Sequence, residues 1–352
     1  MIAEGPTDDA TEGNGGFDVW KKGARPRVAP RSGIKDKLVL TYDNTAVTDG
    51  VGAQLHRIYG IWAISRWFDL PYLHTPLAHV GYQGLGAVQT NVSDPTFHRE
   101  FNDLCHIDSD AVPDDDLFTI NLVHIYPGQI RLFPILVDSG ATLGKPVLAR
   151  VVMPHGIGDQ FPDCYEACKE ISPFESHGGD GRMLRVAVHV RRGEQAIFGS
   201  DRPLANAYFV NVADNVARVL DDLRIEYQIE LWTEVPTDEF TVYPDHHGIS
   251  GRLTDSALIT PEMYRLDEFD VLPNLVPRIN GKTVDCLREL ATADILIMSR
   301  SSFSYVAAVL NRRGIVMYHP FWHRALSSWI TVQPDGCFDQ SALRQAVAGV
   351  SC

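Results

Sequence analysis

Leu184-Arg-Val-Ala-Val-His-Val-Arg-Arg-Gly-Glu194 alternates apolar and polar side chains, with Leu184, Val186, Val188 and Val190 on one face. That period of two reads as a strand over Leu184–Arg191. Downstream, Phe209, Val212, Val216, Val219 and Leu223 recur at steps of three and four, the stripe of an amphipathic helix. Gln228–Thr233 returns to a strand. Val284, Leu287 and Ala291 mark a helix over Thr283–Thr292, and Ile295-Leu-Ile-Met298 is short and apolar enough for a buried strand. A helix over Ser304–Leu310 and a strand over Gly314–Tyr318 complete the run. Strands alternating with helices imply an α/β fold with a parallel, doubly wound sheet.

Before this run, Lys37-Leu-Val-Leu-Thr-Tyr42 reads as a first strand. It leads through Asp43-Asn44 to Asp49-Gly-Val-Gly-Ala-Gln54. Leu55–Phe68 follows, apolar on more than one helical face, as a buried helix is. Pro71-Tyr-Leu-His-Thr75 is a short strand candidate. Asn91–Leu136 mixes both kinds of signal and yields no order. Gly, Pro and His residues gather between Pro154 and Arg182, ending in His177-Gly-Gly-Asp-Gly181, which marks a domain boundary. The expected organisation is a flexible leader over 1–36, a first domain over 37–175 and a second over 182–330. A tail over 331–352 is expected to pack back on the first domain.

At 352 residues the chain is longer than one core usually grows, which agrees with two domains. The formal net charge of -14 argues against a duplex nucleic-acid binder. Cysteines at 105, 164, 168, 286, 337 and 352 are too sparse for a disulfide framework. Cys164 and Cys168 have no second Cys/His cluster at zinc-site spacing, so ordinary thiols are expected there. No run approaches the ~18–20 apolar residues of a membrane span, and no signal-peptide core opens the chain. A cytoplasmic protein is the expectation, with a lumenal fragment of an anchored parent as the alternative. Asn91-Val-Ser93 is a glycosylation sequon that does not decide between them.

Two segments carry chemistry. Ser299-Arg-Ser-Ser-Phe-Ser-Tyr305 lies between an apolar strand and a helix. Helix-start N–H groups attract anions, and Ser301, Ser302 and Ser304 add hydroxyls. A plain serine N-cap is the alternative, and Phe303 is a candidate either for a base or sugar contact or for the core. In His189-Val-Arg-Arg-Gly-Glu194, Arg191 stands at a strand exit, where a guanidinium can grip phosphate oxygens. Arg192 follows it, Gly193 permits a sharp turn, and Glu194 is a candidate base or an arginine partner. Taken together, the two segments suit a diphosphate. No Walker-type loop, no Gly-x-Ser-x-Gly elbow and no dinucleotide fingerprint is present.

Val186-Ala-Val-His-Val-Arg-Arg-Gly-Glu194 resembles the His-Val-Arg-Arg signature of α1,2- and α1,6-fucosyltransferases and protein O-fucosyltransferases. Ala293–Ala308 is similar to their late donor motif. Asp49-Gly-Val-Gly-Ala-Gln-Leu55 is similar to their glycine-rich loop, with Ala53 in place of the usual Asn, and Leu231-Trp-Thr-Glu234 matches a strand ending in Thr and an acid. The resemblance implies a GT-B architecture, with two Rossmann-like domains facing across a cleft, and metal-independent inverting transfer of fucose from GDP-fucose to a glycan hydroxyl. It implies Arg191 on the donor phosphates, with His189, Arg192, Gly50, Gly52, Gln54, Ser301, Ser302, Phe303 and Ser304 around the donor and Asp285 on the guanine. Glu194 and Asp49 are the candidates for the base. The expected metal set is none, and no cofactor is expected beyond the donor substrate.

Three other readings compete. Asp108-Ser-Asp110, with Asp114-Asp-Asp116 nearby, fits the metal-binding Asp-x-Asp of a GT-A enzyme, although no clear strand precedes it and a solvated acidic loop is the simpler reading. The same fold also serves other nucleotide sugars, UDP-sugars among them. A non-catalytic nucleotide- or carbohydrate-binding module is the third, with Tyr305, Tyr318, Trp322 and Trp329 as stacking candidates or core.

Overall fold

The computed structural model describes residues 34–45, 50–77, 80, 95–112, 116–175, 183–192, 203–242 and 257–350. Among them the strands are β1 (Leu38–Tyr42), β2 (Tyr72–Leu73), β3 (Phe118–His124), β4 (Val147–Met153), β5 (Leu184–Val190), β6 (Tyr227–Thr233), β7 (Phe240–Val242), β8 (Ala257–Ile259), β9 (Leu275–Ile279), β10 (Ile295–Ile297), β11 (Ile315–Tyr318) and β12 (Ile330–Thr331). The helices are α1 (Val51–Trp67), α2 (Pro95–Leu104), α3 (Pro127–Asp138), the one-turn α4 (His155–Gly158), α5 (Asn206–Asp222), α6 (Thr283–Ala291), α7 (Ser302–Leu310) and α8 (Gln340–Val350). A 3₁₀ helix spans Pro162–Lys169.

The strands form two parallel sheets and one small antiparallel pair, β7–β8. The first sheet has the order β2-β1-β4-β3 and the second β12-β11-β10-β5-β6-β9, with every neighbouring pair parallel in both. Numbered from its own first strand, β5, the second sheet runs 6-5-4-1-2-3, the doubly wound nucleotide-binding order. The expected α/β class, with two parallel sheets, is therefore present.

The alternation in β5 places its two side-chain rows in different cores. Val186, Val188 and Val190 join Ile229, Leu231, Ile295, Ile297 and Met317 against Phe209, Val212 and Val216 of α5. Ala187 lies on the other face, in the core that contains Leu296, Met298, α7 and the first sheet. Burial on both faces suits parallel strands, which read as continuous apolar runs. α1 is buried nearly all round, from Val51 to Ser65, because it is packed by β1, α7 and the 3₁₀ helix.

Asn91–Leu136 was unreadable for physical reasons. β3 is an edge strand whose side chains are exposed or half-buried, so it carries little apolar alternation. α3 contains Pro134, a residue that local propensity assigns against a helix interior. The tail departs from expectation. Leu343 and Val347 of α8 are buried in the core beneath the second sheet, beside α5, and Arg344 pairs with Asp222 at 2.6 Å. α8 therefore covers its own sheet and not the first one, because the apolar stripe of α5 and the end of β11 offer it a surface there. Residues 1–33 of the leader and the sequon lie outside the described residues. No described helix is long and apolar enough to cross a membrane.

Candidate functional site

In a doubly wound sheet, ligands bind beyond the carboxyl ends of the strands, where the winding reverses. Here the reversal falls between β5 and β10. Register pairs Ile297 with Val188, so the chain beyond β10 leaves the sheet beside His189, Val190 and Arg191. The two segments singled out in the sequence therefore meet at the switch point.

Ser299 Oγ lies 2.8 Å from His189 Nδ1, and the His189 ring lies 5.7 Å from that of Phe303. Burial, and secondarily the Arg191 charge, pushes the His189 pKa down to about 3, so its imidazole is neutral. His189 is buried and joins the two strand exits through Ser299. Arg191 sits partly exposed beyond it and contacts Glu234 at 3.4 Å, a long ion pair at the exit of β6. Thr233 Oγ1 donates to Val190 O at 2.8 Å and ties the same two exits together. Asn280 holds the β6 exit to that of β9 through two 2.8 Å bonds with the backbone of Val235. Burial lowers the pKa of Arg192, and the charges of Glu268 and Tyr264 act on it in the opposite sense. Arg300, half-buried, is a further arginine beyond β10 that acts on Tyr318 and His319.

α7 begins two residues earlier than expected. Ser301 is its N-cap and accepts from the Phe303 N–H at 3.2 Å, so the serine capping alternative is realised there. Ser304 is fully buried, and its hydroxyl bonds to the carbonyls of Ser299 and Ser301 at 3.1 and 3.2 Å. Those two bonds tie the first turn of α7 to the residues that lead into it. Ser302 Oγ lies 2.8 Å from His323 Nε2.

The glycine loop plays a different part from the one expected. Gly50 is the N-cap of α1. A Cβ on Gly52 would stand 2.5 Å from Phe303 Cα and 2.7 Å from Phe303 N. Gly52 is thus needed because the starts of α1 and α7 are pressed backbone to backbone. Gln54 is fully buried, with the Tyr42 hydroxyl of β1 donating to its Oε1 at 3.5 Å.

Asp285 stands in the first turn of α6, half exposed, and accepts from Arg288 Nη1 at 2.7 Å. The deeply buried carboxylate that guanine selection calls for is not found at this position. Asp49, Gly193 and Glu194 lie outside the described residues. In the Asp-x-Asp alternative, Asp114 and Asp115 lie outside the described residues, and the described acids are engaged elsewhere. Asp110 accepts from Tyr72 N at 2.8 Å and from Arg66 at 2.7 Å, while Ser109 accepts from His74 N at 2.9 Å. Cys164 and Cys168 are buried thiols whose pKa values burial pushes up. Tyr305, Tyr318 and Trp329 are core, and Trp322 alone of the four aromatics is exposed.

The sequence reading missed Glu234 as the partner of Arg191, and it missed three histidines, His56, His155 and His323, that meet beside Ser302. Glu234 was visible as the acid ending a strand. The histidines carried no signal, since they come from three distant segments.

No family model matches the chain, and no curated protein matches it. Among solved structures it is similar to the E. coli heptosyltransferase WaaC with ADP, at 10% identity and a TM-score of 0.36, over 89% of this chain and 99% of that one. So slight a likeness carries no weight for chemistry, which has to be read from strand order and side chains.

Proposed function

We propose that this chain is a glycosyltransferase that moves fucose from GDP-fucose to a hydroxyl of a glycan acceptor, without a metal on the diphosphate. The observation that supports it is the meeting of Arg191 and the start of α7 at the switch point between β5 and β10. The motifs that resemble fucosyltransferases fall on these same two exits. The acceptor oxygen attacks the anomeric carbon as the bond from that carbon to the diphosphate oxygen breaks. The electron pair leaves with GDP, and the acceptor proton passes to a base, for which Glu194 and Asp49 are the candidates. A guanidinium fixed at the departing diphosphate stabilises the transition state more than the ground state. Arg191 contacts Glu234 at 3.4 Å, a long ion pair at the same strand exit.

The test is Arg191→Ala, with donor binding and turnover measured separately. Loss of one preorganised charge stabiliser is expected to lower kcat by on the order of 10²–10³ at saturating donor. An unchanged kcat would remove Arg191 from the chemistry. If affinity fell and no turnover were found even in the unaltered protein, the binding-module reading would take its place. Thermal stabilisation by GDP, GDP-fucose, UDP and UDP-sugars decides between guanine and uracil as the nucleobase of the donor. Because Asp285 is half exposed and already paired, Asp285→Ala separates two cases. A loss of GDP affinity keeps its guanine role, and equal affinity ends it.

A further inference from the structure

His56, on the second turn of α1, His155, at the carboxyl end of β4, and His323, in the loop after β11, each bring a ring nitrogen to within 4.8 Å of the other two. Two of them belong to the first sheet's layer and the third to the second's. His56 is buried, and its Nε2 has no hydrogen-bond partner. An orphaned buried nitrogen costs on the order of 1–3 kcal/mol unless something satisfies it. The His56 and His323 rings lie 4.1 Å apart, and His155 lies 5.9 and 5.4 Å from them. His124, at the end of β3, extends the group, with its ring 6.0 Å from that of His155 and its buried Nδ1 also without a partner.

Hydrogen bonding among the rings does not account for this packing. Burial holds His56, His155 and His323 in the neutral form. Neutral imidazoles offer lone pairs, and three of them converging on a point is a ligand set for a borderline transition ion. Oxygen-seeking Mg²⁺ and Ca²⁺ do not choose such a set. Around a tetrahedral ion with metal–nitrogen bonds of about 2.0–2.1 Å, ligand atoms stand closer together than 4.8 Å, so the rings have to draw inward on binding. Histidine ligands commonly give their second N–H to an oxygen. His323 Nε2 accepts from Trp322 Nε1 at 3.1 Å and lies 2.8 Å from Ser302 Oγ; were that nitrogen to carry the N–H of a metal-bound ring, Ser302 Oγ is placed to accept it while Trp322, on an exposed ring, turns to water. Among the charges nearby, Arg57 acts against a cation, and Asp159, which acts on His155, favours one.

We propose that His56, His155 and His323 bind one divalent transition ion, of the Zn²⁺ class, which clamps the two sheets together beside the start of α7. The clamp is separate from the diphosphate chemistry. It fixes the His323 loop and through Ser302 the first turn of α7, so it is a positioning site.

The experiment uses the full chain stripped of metal and then titrated with Co²⁺, read by visible absorption and by equilibrium dialysis. The comparison is His155→Gln, chosen because His155 is half-buried at a chain turn and its loss leaves the cores closed. The expected result is one Co²⁺ per chain with the intense bands of a tetrahedral site, displaced by Zn²⁺ and not by Mg²⁺, and a rise in Tm. In His155→Gln, retention falls at least tenfold and the rise in Tm disappears, while the metal-free Tm stays near that of the unaltered chain. Failure of the unaltered chain to hold Co²⁺, or equal retention by both proteins, overturns the site. Both readouts are independent of turnover, so the outcome does not depend on which sugar, if any, is transferred.

Discussion

Replacing Gly52 by alanine tests the contact that joins the two layers at the site. The added Cβ would lie 2.5 Å from Phe303 Cα, 2.7 Å from Phe303 N and 2.8 Å from Phe303 Cβ, where ordinary contact begins at 3.4 Å. The starts of α1 and α7 must therefore separate by about 0.9 Å. The atoms that obstruct are backbone, so no rotamer change relieves them. Overpacking of this kind costs about 1–3 kcal/mol, with more where the backbone must shift. It also moves the first turn of α7, and a misplacement near 1 Å in a positioned group can lower turnover by up to about 10²-fold. The control is Gly128→Ala in the exposed first turn of α3, where an added Cβ meets nothing within 4 Å. That change is expected to stabilise by about 0.4–1 kcal/mol, because alanine restricts the unfolded chain. Urea unfolding of the three proteins gives both signs, and donor turnover gives the functional half. A Gly52→Ala protein as stable as the unaltered one would refute the close approach of α1 and α7, and with it the geometry of the site.

Further outcomes follow from the same cores and ion pairs. Leu343→Ala should cost about 2–5 kcal/mol, since Leu343 is fully buried against α5; a change below 0.5 kcal/mol in urea unfolding, on the order expected of a surface site, would mean that α8 does not cover the second sheet. Glu230 is buried, which raises its pKa, but Arg185 at 2.9 Å and Arg278 at 3.3 Å outweigh that and hold it below 4.5. A carboxyl depressed in the folded state adds stability above its unfolded pKa and loses it as pH falls through the folded value. Stability should therefore decline below about pH 4.5, and less steeply in Glu230→Gln. Equal slopes in urea titrations of the two proteins at pH 3 and pH 7 would dismiss the pair as a source of acid sensitivity.

Local pattern was enough for most of the second sheet, because a strand or helix buried on a defined face writes its period into adjacent residues. β5, β6, β10, β11 and α5 were each read to within a few residues for that reason. β3 was not, because an exposed edge strand need not alternate. The site was legible to the same degree. Arg191 and Ser301 announced themselves as strand exit and helix start, which are local facts, whereas the expected roles of Gln54, Ser304 and Asp285 depended on which way a side chain faces after packing.

The sequence by itself determined the α/β class, the second sheet's elements and the two strand exits, since these follow from spacing among near neighbours. Tertiary structure alone decided the strand order that puts β5 beside β10, the contact of Gly52 with Phe303, the place of the tail and the meeting of His56, His155 and His323. Each of those joins residues far apart in the chain, and such contacts are selected by the fit of whole layers, which no window of adjacent residues records.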